Sequence, residues 1–154
     1  MMTTATPSGT AQYATFYLDG LYLGIEVLSV QEVIRHQPLT PVPLAPPVVR
    51  GLINLRGQIV TAVDLRARLG LPPQPDDALP MNVVVRTTDG VVSLLVDEID
   101  DVVEVHAGQF ESPPDTIRRR LDTLVTGVYK LPRKLLLILD VERTVACGAS
   151  THVS

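Results

Sequence analysis

The stretch RGLINLRGQIVTAVDLR, Arg50 to Arg66, decides how this chain reads, because two apolar strand-like arms flank a charged turn and a helix start follows at once. Leu52, Ile53 and Leu55 form one arm, and Ile59, Val60 and Val63 the other. Between them Arg56-Gly57 supplies a glycine, the residue that reaches positive φ at no steric cost and that tight hairpins require. Arg56 is thereby presented at or near a hairpin tip. Asp64 follows as the N-cap of a short helix over residues 64–69, with Gly70 as its stop.

Toward the N-terminus, Tyr13 to Leu18 and Leu21 to Ile25 flank Asp19-Gly20, a pair that favours a type I′ hairpin. Residues 1–11 lack periodicity and are rich in Thr, Ser, Ala and Gly, so a disordered lead is expected there. Val27, Leu28, Val30, Val33 and Ile34 have the spacing of a short amphipathic helix that ends before Pro38, which leaves Glu32 beside the buried stripe. Pro38, Pro41, Pro43, Pro46 and Pro47 then exclude a helix interior and force an extended or turning connection.

Toward the C-terminus, the proline-rich segment from Gly70 to Pro80 reads as a flexible loop. Met81 to Arg86 and Val91 to Val96 flank a second Asp-Gly pair, Asp89-Gly90, and Val102, Val103 and Val105 continue the β pattern after an acidic break. Ala107 to Asp115 reads as loop and Thr116 to Leu121 as a helical turn. Leu124 to Leu131 and Lys134 to Leu139 pair around Pro132-Arg133, and Asp140 to Val145 forms a last helical turn. Strand pairs recurring at a similar interval predict paired small barrels.

A chain of 154 residues accommodates one domain, or two intimately packed subdomains, around one good core. The hydrophobic fraction of 45%, with 13 prolines and 10 glycines, fits a globular protein with many turns. Aromatic side chains at 4% leave the core to aliphatic residues and offer little base stacking, and a net charge of -4 opposes phosphate backbones. Nucleic acid is therefore not expected as a partner. The lone Cys147 forms no internal disulfide, and MMTTATPSGT lacks the basic and apolar regions of a secretory signal. A cytoplasmic location is expected, with recruitment to membranes only through partners.

Asp97, Glu98, Asp100 and Asp101 form the densest acidic cluster, but the glycine and terminal glutamate of a calcium loop are missing, so a solvated strand-to-strand bend is the reading. His36, His106 and His152 stand far apart, outside any ligand-spacing motif, and Cys147 has no basic activator. Arg118-Arg119-Arg120 diverge on a short helix and are read as solvated, and Pro38-Leu39-Thr40-Pro41 as a stiff connection instead of a docking peptide. The chain has no P-loop, no Gly-rich dinucleotide turn and no Gly-x-Ser-x-Gly elbow. No catalytic residue, metal site or cofactor is expected.

In this order the motifs resemble the CheW family of chemotaxis coupling proteins. Its Asn-Leu-Arg-Gly turn is matched by Asn54-Leu55-Arg56-Gly57, and its following Asp-Leu-Arg by Asp64-Leu65-Arg66. The likeness runs from about Gln12 to Val145. Val30-Gln31-Glu32-Val33 looks like the family's Val-x-Glu-Ile helix, Val42-Pro43 to Gly51 like its proline-rich approach, and Val96-Asp97 with Val102-Val103 like its second-half strand pair. Thr126-Gly127 and Leu137-Ile138-Leu139-Asp140 look like its closing strands. Val48-Val49 departs from the pattern, where an aromatic more often precedes Arg-Gly; the difference touches packing more than mechanism.

The resemblance implies an all-β fold with short helices: two packed five-stranded SH3-like β-barrel subdomains forming one CheW-like domain over residues 12–146. A flexible tail is expected over 147–154. The implied function is that of a non-enzymatic adaptor linking the cytoplasmic tip of methyl-accepting chemoreceptors to the regulatory domain of the histidine kinase CheA. Carried over residue by residue, Val30, Glu32 and Arg56 face the receptor, with Val102 and Val103 as the second-barrel side of the groove. The hairpin at Gln58, Ile59 and Val60 lies near the kinase. The alternatives are the equivalent adaptor of a pilus-motility or other chemosensory array and, more remotely, a small β-barrel enzyme using the acidic cluster.

Overall fold

The computed structural model describes residues 9–75, 77–116 and 124–146. The strands are β1 Thr10–Leu18, β2 Leu21–Glu26, β3 Val30–Ile34, β4 Val49–Leu55, β5 Gln58–Asp64, β6 Met81–Thr87, β7 Gly90–Val96, β8 Glu98–His106, β9 Val125–Lys130 and β10 Leu135–Leu139. Two short helices are described, α1 Leu65–Arg68 and α2 Val141–Val145. The strands form two five-stranded sheets, ordered β8-β1-β2-β10-β9 and β3-β6-β7-β5-β4. One sheet is a continuous run of chain, β3 to β7; the other joins the first two strands to the last three.

Turn chemistry sets the registers. Leu55 pairs with Gln58, leaving Arg56-Gly57 as a two-residue turn, and their φ values of 54° and 90° are the pair of positive angles that a type I′ turn demands. The Asn54 side chain locks the turn by accepting from the Gly57 amide at 2.8 Å. Asp19-Gly20 forms the equivalent turn between Leu18 and Leu21. In the third hairpin Thr87 pairs with Gly90, so the turn falls on Thr88-Asp89, one residue earlier than the Asp-Gly pair predicts.

Each sheet curls around its own apolar cluster. Tyr13, Tyr22, Val105, Tyr129, Leu136 and Ile138 gather inside the first, bringing side chains of its edge strands β8 and β9 together. Ile53, Leu55, Val60, Ala62, Val84 and Leu95 gather inside the second. The largest cluster, with Phe16, Leu18, Leu23, Ile25, Val63, Leu65, Val83, Leu94 and Leu137, draws on both sheets and welds them. Backbone pairing among the described residues leaves both sheets open, so the two expected closed barrels are here two curled five-stranded sheets.

Residues 27–34 are not the expected helix. Val27–Ser29 makes one 3-10 turn, and Val30–Ile34 is an edge strand paired with β6. Its register shifts between Val30, opposite Val85, and Glu32, opposite Val84, so Gln31 is the extra residue of a bulge. The bulge switches the alternation of faces. Val30 and Val33 thus come to one side at a spacing of three, which imitates a helical period. Structure also begins earlier than expected: Thr10 and Ala11 already pair with His106 and Val105. Residues 1–8, the helical turn after Thr116, Arg118-Arg119-Arg120 and the tail from Cys147 lie outside the described residues.

Both helices start as the sequence predicts. Asp64 accepts from the Ala67 amide at 3.2 Å, and Asp140 from the Arg143 amide at 3.1 Å. Gly51 has a sharper requirement. It sits at φ 154°, and a Cβ there would lie 2.6 Å from the Thr40 carbonyl oxygen, whose residue bridges Leu52. Gly51→Ala should therefore destabilise the fold by about 2 kcal/mol, through strain and a backbone clash. A denaturant melt with an unchanged midpoint would contradict this.

Candidate functional site

A groove of about 200 Å³ opens where β3 of one sheet meets β8 of the other, and it is lined by Val30, Glu32, Val33, Val83, Ile99 and Val102 among others. Phe16, fully buried, reaches it from below. Val33 and Val102 are 45% and 54% exposed, so the groove presents uncovered apolar surface at a sheet junction.

Glu32 forms one wall, and Arg56 reaches it: the guanidinium donates a hydrogen bond to the Glu32 carboxylate. The pair connects the edge strand β3 to the tip of the β4–β5 hairpin at the opposite side of the same sheet, so it spans the curl. Arg56 is 70% exposed and Glu32 21%. The hydrogen bond from Arg56 holds the Glu32 carboxyl below the usual carboxylate range, and Glu32 raises the guanidinium in turn. Acidification should therefore release this pair only as pH falls through the lowered Glu32 value. A double-mutant cycle over Glu32→Ala and Arg56→Ala should be non-additive in denaturant melts at low salt; strict additivity would mean that the contact is idle.

Two expected site residues sit differently. Val103 is not among the residues that line the groove, and its side chain faces away from that of Val102, as alternation along a strand dictates. Val102 pairs with Ala14, whereas Val103 pairs with Tyr13 and packs on the tyrosine cluster inside the first sheet. Val60 is buried at 1% inside the second sheet, so it supports the hairpin from beneath. Its neighbours Gln58 and Ile59 are exposed, Ile59 by 61%.

Val33 and Ile99 are groove residues that the sequence motifs do not single out. Both enter through bulges. On β8 the register slips between Ala14 opposite Val102 and Phe16 opposite Ile99, and the Thr15 hydroxyl donates to the Asp101 carbonyl where the ladder breaks. Tyr22 reaches both Thr15 Oγ1 at 3.1 Å and the Asp100 carboxylate at 3.0 Å.

The expected strand-to-strand bend falls at Asp97, between β7 and β8, and the exposed Glu98 and Asp101 are solvated as expected, but Asp97 is not. Glu98, Asp100 and Asp101 belong to β8, and Asp97 is a structural hub. Arg66 grips Asp97 with two bonds, Nε to Oδ1 at 3.0 Å and Nη2 to Oδ2 at 2.6 Å, and also donates to the Pro72 carbonyl at 2.7 Å. Asp97 accepts in addition from the Asp19 amide at 2.8 Å and from Gln74 at 2.9 Å. The hub thereby ties α1 and the 70–80 loop to the β1–β2 turn of the other sheet. Burial pushes the Asp97 carboxyl up, but Arg66 and the Asp19 amide outweigh it and hold the group below its ordinary value. The loop read as flexible is anchored at Pro72 and Gln74.

His36 follows β3 and His106 ends β8; among the described residues no three His, Cys, Asp or Glu side chains converge as a metal site. No described helix is long and apolar enough to cross a membrane.

An open apolar groove between two packed sheets, with a charged residue on its wall, has the form of a surface that receives another molecule. The model of the CheW-like domain matches residues 12–146. The chain is 33% identical over 125 residues to the chemotaxis protein CheW of Bacillus subtilis, an alignment covering 81% of this chain and 80% of that protein. It is 28% identical to the chemotaxis protein CheW of Thermotoga maritima, with 94% of each chain covered. In structure it is similar to the scaffolding protein TtCheW from Thermoanaerobacter tengcongensis, with a TM-score of 0.80 at 24% identity over 90% of this chain and 94% of that one. The chain belongs to the CheW family of chemotaxis coupling proteins.

Proposed function

We propose that this protein couples the cytoplasmic tip of a chemoreceptor to the histidine kinase CheA, with the groove between β3 and β8 as the receptor seat. The observation that carries the reading is the convergence of Val30, Glu32 and Val102 on one groove, with Arg56 fastened to its wall. Apolar contacts there supply affinity, and the Arg56–Glu32 pair fixes the register of the bound helical tip. The two curled sheets correspond on this reading to the family's paired SH3-like barrels. The exposed Gln58 and Ile59 of the β4–β5 hairpin face the regulatory domain of CheA. Signal passes through contacts that differ between receptor states, without chemistry of the protein's own.

Arg56 supports a functional role by its backbone. It occupies a left-handed conformation, φ 54°, that a long side chain tolerates less well than asparagine does. Arg56→Asn should therefore leave the melting midpoint unchanged or raised. Binding to a receptor-tip fragment should weaken at least about tenfold, while the regulatory domain of CheA binds as before. Unchanged receptor binding would overturn this assignment, and loss of both partners would show that the hairpin tip serves neither one specifically.

A further inference from the structure

A second cavity, of about 390 Å³, opens at the first sheet, where the end of β2 and the start of β1 meet Tyr129 of β9. Its size falls in the range of small-molecule pockets, and its lining combines an apolar wall with a few polar groups, as such pockets do. Tyr13 and Tyr129, exposed by only 6% and 3%, form its floor, with Ala11 and the 66% exposed Leu28 among its walls. The two phenol oxygens are 3.4 Å apart. Either oxygen can donate the hydrogen that lies between them.

Glu26 and Glu104 also line this cavity, and neither has an ion-pair partner among the described residues. Among the described residues no Lys, Arg or His lines it. Nor does one line the adjoining cavity of about 240 Å³, which shares Glu26 and adds Asp140 and Glu142. Tyr13 carries the imprint of this field: burial raises its pKa well above the usual phenol value, the contact with Tyr129 adds to this, and the Glu26 carboxylate raises it further. Glu26 and Glu104, without an ion-pair partner among the described residues, give this concave surface a negative potential. An anion would be repelled here. A neutral apolar guest would desolvate the carboxylates without replacing their hydrogen bonds.

We propose that this cavity is a binding site for a small organic cation, an ammonium or guanidinium on an apolar or aromatic body, with the charge at Glu26 and Glu104 and the body against Tyr13, Tyr129 and Leu28. Aromatic faces beside the charged group add a cation–π contribution. The cavity adjoins the β3–β8 groove, since Val27 lines both, but Glu26, Glu104 and Tyr129 line the cavity and not the groove, and the proposal does not depend on the receptor assignment.

The test compares 2-phenylethylammonium with 2-phenylethanol, which match in shape and differ in charge, by NMR titration of the whole chain at low salt. The ammonium should shift the resonances of Ala11, Leu28 and Tyr129 and bind at least about tenfold more tightly than the alcohol, with the difference shrinking as salt is raised. Glu26→Gln and Glu104→Gln alter exposed side chains and leave the fold intact; Glu26→Gln should weaken the ammonium about fivefold or more and leave the alcohol unchanged. Equal affinity for amine and alcohol would overturn the proposal, and so would shifts confined to other surfaces, indifference to both Glu substitutions, or no saturable shift up to about 10 mM.

Discussion

Arg66→Ala is expected to lower folding stability by about 3 kcal/mol, seen as a fall in Tm of roughly 6 to 12 °C for a chain of this size. The reason is what the substitution strands. Asp97, whose side chain is 18% exposed, would keep the bonds from the Asp19 amide and Gln74 but lose the charge that compensates it. Arg66 is itself only 14% exposed and donates to Pro72 as well, so its removal also frees the 70–80 loop. Removing the partner too should recover part of the loss: Arg66→Met with Asp97→Leu replaces a paired charge by apolar volume, and such exchanges are often close to neutral.

The same hub gives stability a pH dependence. Asp97 is held below its unfolded value of about 3.9, so its contribution is fully present above that pH and is lost as pH falls through the folded value. Arg66→Ala should abolish this component of acid sensitivity. Acid melts of wild type and variant running parallel from neutral pH downward would show that Asp97 is not held by Arg66.

The largest functional effect is expected at Val102. Val102→Glu adds a carboxylate to an apolar groove that already holds Glu32 and Asp100. Receptor binding should fall by more than about 2 kcal/mol, some thirtyfold or greater, as for loss of an interface hot spot. Since Val102 is 54% exposed, stability should change by less than about 0.5 kcal/mol. Val103→Glu serves as the contrast. That substitution would drive a charge into the tyrosine cluster, so it should fail in melting before it fails in binding.

The hairpins were legible because their information is local: Arg56-Gly57 and Asp19-Gly20 dictate turns whose geometry sets the register of both flanking strands. Capping was legible for the same reason at Asp64. The groove was legible only in part. Val30, Glu32 and Arg56 follow from the family motif, but the strand character of 30–34 is hidden by the bulge at Gln31, which converts an alternation of two into an apparent spacing of three. A second bulge on β8 conceals Ile99, and plain alternation separates Val102 from Val103 once the strand is known to be continuous. The Arg66–Asp97 hub was invisible because it joins residues whose proximity depends on how the two sheets pack. No local pattern distinguishes Asp97 from its acidic neighbours; only the burial of its side chain and the grip of Arg66 do.

Methyl-resolved NMR of the chain titrated with a receptor-tip fragment tests directly the docking of the receptor tip between β3 and β8. The methyl groups of Val30, Val33, Ile99 and Val102 should shift together and saturably, while Ile59 on the hairpin face and Val103 inside the first sheet stay in place. Shifts centred on Ile59 with the four groove methyls unmoved would contradict it.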